Sequence, residues 1–304
     1  MGARVDRVEC PWASKGGTVH QTDSMLNISR PAHAGFVETL ESERLCAYQF
    51  VDSLPAWNDA PPVMQRLRRS AREVLAAAWV ARHRGARVQV LEAGSGRGPG
   101  VAGQLSYLAP DLAESIVVDR IDIVDPTLTH PMIRHCWQCS VEGMPMVPSG
   151  NYDFVVAQWL LEHVEDVETA TREFARVLCP GGRLCAAVPN PAAPEFLFAR
   201  LAPYKLHRLL VSGDAAPTPT YYAFHSIDEL VSVLRRAGLE TVVDDRVPCV
   251  GRYLGSEGSL LGRARLGLLG RSYDRLLLRH GLRRLMGDVF LVAERPAGAA
   301  GGQP

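Results

Sequence analysis

Val88-Gln-Val-Leu-Glu-Ala-Gly-Ser-Gly-Arg-Gly-Pro99 is the stretch that decides the fold of this chain. It begins as an apolar run, reaches an acid at Glu92, and then alternates glycine with other residues. Such a stretch reads as a buried strand, a carboxylate near the strand's tip, and a turn in which backbone stands where side chains would. Gly94, Gly96 and Gly98 permit positive φ and close approach of a ligand, and Pro99 suits the first turn of the helix that follows. Strand, glycine turn and helix in this order form the front of a nucleotide-type cofactor site.

Spacing narrows the cofactor. A dinucleotide site uses G-x-G-x-x-G, with small residues for the pyrophosphate and for helix–strand packing. Here the glycines fall at 94, 96, 98 and 100, with proline at 99, so that pattern fails. Glu92 argues in the same direction. A carboxylate repels a pyrophosphate but attracts the ammonium and sulfonium of S-adenosylmethionine.

Further blocks follow downstream: Arg120-Ile-Asp-Ile-Val-Asp-Pro126, Cys139-Ser-Val-Glu-Gly-Met-Pro145, Asn151-Tyr-Asp-Phe-Val-Val-Ala157, Gln158-Trp-Leu-Leu-Glu-His-Val164 and Arg176-Val-Leu-Cys-Pro-Gly-Gly-Arg-Leu-Cys-Ala-Ala-Val-Pro-Asn190. In this order, after E-x-G-x-G-x-G, they resemble the class I S-adenosylmethionine-dependent methyltransferases, in particular the quinone-biosynthesis and small-molecule branch, over residues 86–247. The resemblance implies an α/β fold: a doubly wound, mostly parallel, seven-stranded Rossmann-like sheet with N-terminal helices and a C-terminal helical cap insertion. It also implies that Glu92, Gly94 and Gly96 hold the methionine part of the cofactor and that Asp125 binds the ribose hydroxyls. Ala157 and Gln158 would present backbone near the methionine tail, and Ser140 and Val141 would face the adenine. At one place the chain departs from the family. Cys139-Ser140 replaces the usual Gly-Asp, so a hydroxyl stands where a carboxylate normally accepts from the adenine amine, and a hydroxyl accepts more weakly.

Two acids compete for the ribose. Asp125 lies 29 residues beyond Gly96, against about 20 in the analogous dinucleotide pattern, and Ile116-Val-Val-Asp119 offers a nearer strand tip. Asp125 is preferred because Pro126 would end its strand and because Ile121, Ile123 and Asp125 alternate with Asp122 and Val124. If Asp119 is the ligand, Asp125 is a solvated turn residue.

Composition bounds the rest. At 304 residues the chain can bury a sizeable core. Lys plus Arg equals Asp plus Glu at 33 each, so no global charge recruits nucleic acid or membrane. No apolar span suits a transmembrane helix and no apolar core follows the N-terminal charges, which leads to the expectation of a cytoplasmic protein. Seven scattered cysteines fit reduced thiols. Cys136-Trp-Gln-Cys139 lacks the second pair of a zinc site and reads as small buried residues entering a strand, so no metal is expected.

Along the chain, residues 1–30 read as disordered, 31–85 as an N-terminal helical region with a long helix from Val63 to His83 closed by Gly85, and 86–247 as the core, with a proline-punctuated cap at about 191–224. Ser226, Glu229 and Gly238 mark a capped helix. Residues 248–287 form a basic insertion, 288–296 a final strand and 297–304 a disordered tail. Arg252, Arg263, Arg265, Arg271, Arg275, Arg279, Arg283 and Arg284 face only Glu257 and Asp274 there, and leucine dominates the remainder. Arg275, Arg279 and Arg283 recur every four residues, so 252–284 is a basic amphipathic lid with either a solvated cationic face or one that meets an anionic membrane or acceptor.

His163 is the candidate catalytic base, with His225, Tyr221 and Tyr222 as rivals and loop ordering as the alternative role. The expected reaction is methyl transfer to a small apolar or amphipathic acceptor, with O-, N- and C-methylation and the oligomeric state left open. Two other classes stay in view: an NAD(P)-dependent oxidoreductase, and a non-catalytic S-adenosylmethionine-binding partner protein.

Overall fold

The computed structural model describes residues 41–55, 62–96, 98–126, 130–201, 220–251 and 267–297. The segment 1–30, the tail from 298, residues 202–219 of the expected cap and residues 252–266 of the basic insertion lie outside the described residues.

Two helices, α1 (Glu41–Asp52) and α2 (Pro62–His83), precede the sheet. An alanine-rich, proline-free interior lets α2 run for six turns, and Gly85 in the left-handed region (φ 65°) then turns the chain into β1 (Val88–Ala93). Next come α3 (Gly100–Leu108), β2 (Ile116–Asp122), β3 (Ile133–Gln138), β4 (Tyr152–Gln158), α4 (Val167–Val177), β5 (Leu178–Pro189) and α5 (Pro194–Leu201). The described chain ends with α6 (Ile227–Arg236), β6 (Glu240–Val247), α7 (Gly267–Arg279) and β7 (Asp288–Glu294). Helices α4 and α6 start on side-chain caps. The Asp166 carboxylate accepts from Thr169 N–H at 2.9 Å, and the Ser226 hydroxyl accepts from Glu229 N–H at 3.2 Å.

The seven strands form one sheet in the order β3-β2-β1-β4-β5-β7-β6. Pairing is parallel from β3 to β5, and β7 runs antiparallel between β5 and β6. Both faces are covered, which explains why β4 is buried along nearly its whole length instead of alternating. One core packs α4 and α6 against the sheet through Phe174, Leu230 and Leu234; the other packs α1, α2 and α3 through Val51, Leu75 and Leu105. Strand order reverses between β1 and β4, so their C-terminal ends open onto the crevice where such sheets bind ligands.

The strand expected to run to Asp125 stops at Asp122. Asp122 ends the ladder by turning its side chain onto backbone: Oδ1 accepts from Val124 N–H at 3.0 Å and Oδ2 from Gly96 N–H at 2.7 Å. Ile123 and Val124, which the alternation placed inside a strand, are exposed, and so is Asp125. Asp119 is not a tip either. It sits mid-strand at 1% exposure, where its carboxylate accepts from Tyr152 Oη at 2.8 Å and pairs with Arg134 and His135. Cys136 and Cys139, expected to be buried, are half-buried, because β3 is the edge strand. Arg283, expected to continue the Arg275–Arg279 stripe, falls beyond the end of α7.

Candidate functional site

A cleft of about 490 Å³ opens at the C-terminal ends of β1, β2 and β4. Its floor is backbone. Gly94 (φ 73°) and Gly96 (φ 60°) both lie in the left-handed region. A Cβ on Gly94 would stand 2.9 Å from Leu160 Cδ1, whereas one on Gly96 would meet nothing within 4 Å and would project into open space. Asp122, Ile123 and Val124 form one wall with Cys139, Ser140, Val141 and Glu142. Trp159, Leu160, His163, Val164, Glu165 and Tyr221 form the other.

A buried ion pair fixes the glycine turn. Arg120 is fully buried on β2, and its Nε lies 3.0 Å from Glu92 Oε2 on β1. Its Nη2 donates to Ser95 O at 2.7 Å and reaches Gly96 O at 3.4 Å. Glu92 Oε1 accepts from Val101 N–H at 2.8 Å, in the first turn of α3. The carboxylate at the end of β1 thus joins β2, the turn and α3. Burial pushes it up to about 7, against the opposing pull of Arg120.

The opposite wall is tied down by backbone. Trp159 (φ 55°) and Tyr222 (φ 46°) both occupy the left-handed region without being glycine, a strain that neighbouring contacts must hold. Trp159 N–H donates to Ala187 O at 2.8 Å. The Glu162 carbonyl accepts from both Tyr221 N–H (2.9 Å) and Tyr222 N–H (3.2 Å), which draws the chain after the cap against the turn Leu161–His163. The Glu162 carboxyl is 4% exposed, its Oε2 has no hydrogen-bond partner, and burial pushes it up to about 8. It is therefore largely protonated at pH 7. His163 lines the cleft beside it, with Nε2 4.0 Å from Glu162 Oε1, beyond hydrogen-bond reach.

Among the residues singled out in the sequence, Gly94, Gly96, Ser140, Val141 and His163 come together around this cleft. Glu92, Ala157, Gln158 and Asp125 do not line it. The Glu92 carboxylate, expected beside a ligand cation, is turned to Val101 N–H and Arg120. Ser140 Oγ is in contact with Glu142 Oε2 at 3.1 Å. Sequence reading passed over Asp122, although it stands inside the quoted Arg120–Pro126 block, 26 residues from Gly96 and nearer the usual spacing than Asp125. It also passed over Arg120, whose partners lie on a different strand.

Among the described residues, no cluster of three or more His, Cys, Asp or Glu could hold a metal ion, and no helix is long and apolar enough to cross a membrane.

Comparison with known proteins gives three findings. Residues 91–186 match the model of a methyltransferase domain. The ubiquinone biosynthesis O-methyltransferase of Bordetella avium is 35% identical over 100 residues, which cover 33% of this chain and 40% of that protein. The corresponding protein of Xanthomonas axonopodis pv. citri is 35% identical over 101 residues, 33% of this chain and 41% of its own. The chain thus spans about 40% of the length of the curated relatives it matches. A solved 1,6-didemethyltoxoflavin-N1-methyltransferase of Burkholderia thailandensis, with bound S-adenosylhomocysteine, aligns over 83% of this chain and 89% of its own, at 17% identity and a TM-score of 0.41.

Proposed function

We propose that this chain, whose residues 91–186 match the model of a methyltransferase domain, is a class I S-adenosylmethionine-dependent methyltransferase that transfers a methyl group to a small apolar or amphipathic acceptor. One observation carries the reading. A single cleft joins a glycine turn and an acidic strand tip at one end to a histidine, a carboxylate and a tyrosine at the other. The first end suits a nucleoside and an amino-acid tail; the second suits a nucleophile and its proton.

The residues fit the cofactor. At Gly96 the backbone faces open space that any Cβ would enter, which leaves room for a ligand against the main chain. Asp122 has spent one bond per oxygen on Gly96 and Val124 N–H, and a carboxylate has further lone pairs for a ribose diol. Ile123 and Val124, exposed at 66% and 41%, offer apolar surface for one face of an adenine, with the Ser140 hydroxyl and Val141 alongside.

When bound, the cofactor supplies a sulfonium methyl that an acceptor displaces in line. The protein's task is alignment, and orientation of this kind can lower a barrier by about 7–11 kcal/mol. Leu160, Val164 and Tyr221 provide an apolar wall for the acceptor. His163 lines that end of the cleft and is our candidate to take a proton from a hydroxyl acceptor, with the Glu165 carboxylate on the same wall.

Calorimetry with S-adenosylmethionine, S-adenosylhomocysteine and NAD tests the cofactor, and an acceptor screen with radiolabelled S-adenosylmethionine tests the transfer. Binding of NAD alone would overturn the reading. Cofactor binding with no acceptor labelled would reduce the chain to a non-catalytic partner.

The acids separate cleanly by substitution. Asp122→Ala is expected to weaken S-adenosylmethionine and S-adenosylhomocysteine alike by about 1.5–3 kcal/mol, the value of a hydrogen bond to a charged group. Asp125→Ala should change either affinity by less than about 0.5 kcal/mol, as at any open surface site. Asp119→Ala should appear in urea unfolding instead, because it orphans Tyr152 and Arg134. A cofactor loss confined to Asp125→Ala would show that the strand tip is misjudged.

His163→Ala should lower kcat for a hydroxyl acceptor by about 10²–10⁴-fold, the usual range for a lost general base, with cofactor affinity unchanged. An equal fall for an amine that is already neutral would assign His163 to loop ordering.

A further inference from the structure

We propose that the outward face of α7 docks on the surface of a bilayer that carries anionic lipid. The inward face of this helix is already satisfied. Gly270 packs so closely on Gly251 that a Cβ would stand 2.6 Å from the Gly251 Cα, Leu277 is buried, and the Asp274 carboxylate accepts from Val250 and Gly251 N–H at 3.1 and 2.8 Å. The helix is therefore anchored in register, and its other side has no place left in the core to occupy.

That other side is both greasy and cationic. Leu268 and Leu269 are each 67% exposed, and Leu276 and Leu278 are 48% and 58% exposed. With 100° between successive residues, these leucines are spread over an arc of about half the helix circumference, broader than a single exposed apolar residue would cover. Arg271, Arg275 and Arg279 recur at four-residue spacing between them, all exposed, and no carboxylate pairs with them among the described residues. The following arginines differ: Arg283 pairs with Asp244, and Arg284 lies 3.5 Å from Asp228. Among the described residues of this segment, the arginines without a carboxylate partner are thus those of the stripe 271–275–279. Leucines flanked by arginines whose stems can lie along apolar surface while their heads reach phosphate match an anionic interface in both charge and hydrophobicity.

Position gives the surface a use. Asp288, at the start of β7, pairs with Pro189 at the end of β5 and with Val247 at the end of β6. Helix α7 joins β6 to β7 at this edge, which is the edge where β1 and β4 end and the cleft opens. Docking through α7 would turn the cleft edge of the sheet toward the lipid. Delivery of an amphipathic acceptor from the bilayer follows if the methyl-transfer reading holds; the docking itself does not depend on it.

The test is co-sedimentation of the full chain with vesicles of phosphatidylcholine containing phosphatidylglycerol, against vesicles of phosphatidylcholine alone, at low and high salt. The expected result is pelleting with the anionic vesicles only, weakened by salt. The R271Q/R275Q/R279Q variant should bind them roughly 100-fold more weakly, from about a five-fold contribution per basic residue near such a surface. L269S/L276S should abolish whatever binding survives high salt. Equal pelleting with both vesicle types, or undiminished binding of the arginine variant, would overturn the proposal. So would a change of sedimentation velocity from dimer to monomer in L269S/L276S without vesicles, since a second copy would then own the face. Calorimetry with S-adenosylmethionine on the same variants keeps the two readings apart, because neither variant touches the cleft.

Discussion

Gly96→Val is expected to leave the protein folded and to remove S-adenosylmethionine binding, with an affinity loss of at least about 100-fold, because the β-branched side chain enters the volume that the ligand needs. Gly96 sits at φ 60°, where a β-branched residue is a genuine outlier that costs on the order of 1–3 kcal/mol. Its chain neighbours aside, no atom lies within 4 Å of the Cβ that would be added, so the first carbon of the new side chain meets open space and not packed core. Strain of that size should lower the melting temperature by less than about 10 °C in a chain of this length. Gly94→Ala is the informative comparison. Its Cβ would press on Leu160, so it should disturb the opposite wall of the cleft as well as the turn. Thermal melts together with calorimetry on S-adenosylmethionine and S-adenosylhomocysteine give the answer. A folded Gly96→Val protein that keeps wild-type affinity would move the cofactor away from the glycine turn.

The parts of this structure that local chemistry determines are legible in the sequence. The alanine-rich run into Gly85, the Ser226–Glu229 cap, the apolar strand before Gly94 and the terminal strand at Asp288–Glu294 each announce themselves within a few residues. What the sequence concealed depends on partners brought together from far along the chain. Ile123 and Val124 continue the alternation of β2 and so extend it on paper to Asp125, but they are exposed at the cleft rather than paired in the sheet. Asp119 has the look of a strand-tip acid until Arg134, His135 and Tyr152 arrive from β3 and β4 to bury it. Glu92 suggests direct contact with a ligand cation, because nothing local reveals that a cation from the neighbouring strand faces it. A charged residue within an apolar strand, as in Val118-Asp-Arg-Ile121, is itself the signal that sequence reading could have used: two buried charges imply two buried partners.

Arg120→Met should be the most destabilising single change near the site, by about 3–5 kcal/mol at pH 8, because it leaves the Glu92 carboxylate buried without its counter-charge. Arg120 is 0% exposed and Glu92 6%, so water cannot replace the guanidinium. The loss should depend on pH in a defined direction. Burial raises Glu92 to about 7 from an ordinary value of 4.5 even with Arg120 present, and removal of the arginine raises it further. A carboxyl whose folded-state value is raised contributes its full stability below about 4.5 and loses it as pH climbs through the folded value. Urea unfolding of Arg120→Met should therefore show a penalty that is small near pH 5, where Glu92 is protonated, and grows toward pH 8. Glu92→Gln combined with Arg120→Met should return stability to within about 1–2 kcal/mol of the wild type at pH 8, since a neutral amide still accepts from Val101 N–H and no buried charge remains. Cofactor affinity should not recover with it. The double variant still lacks the Nη2 donor to Ser95 O, so the glycine turn is held less firmly and binding should stay weaker by at least about tenfold, the lower end of the value of a hydrogen bond to a charged group. Recovery of stability and affinity together would make Arg120 a partner of Glu92 alone; recovery of stability without affinity is the result expected of a residue that holds the turn for its ligand.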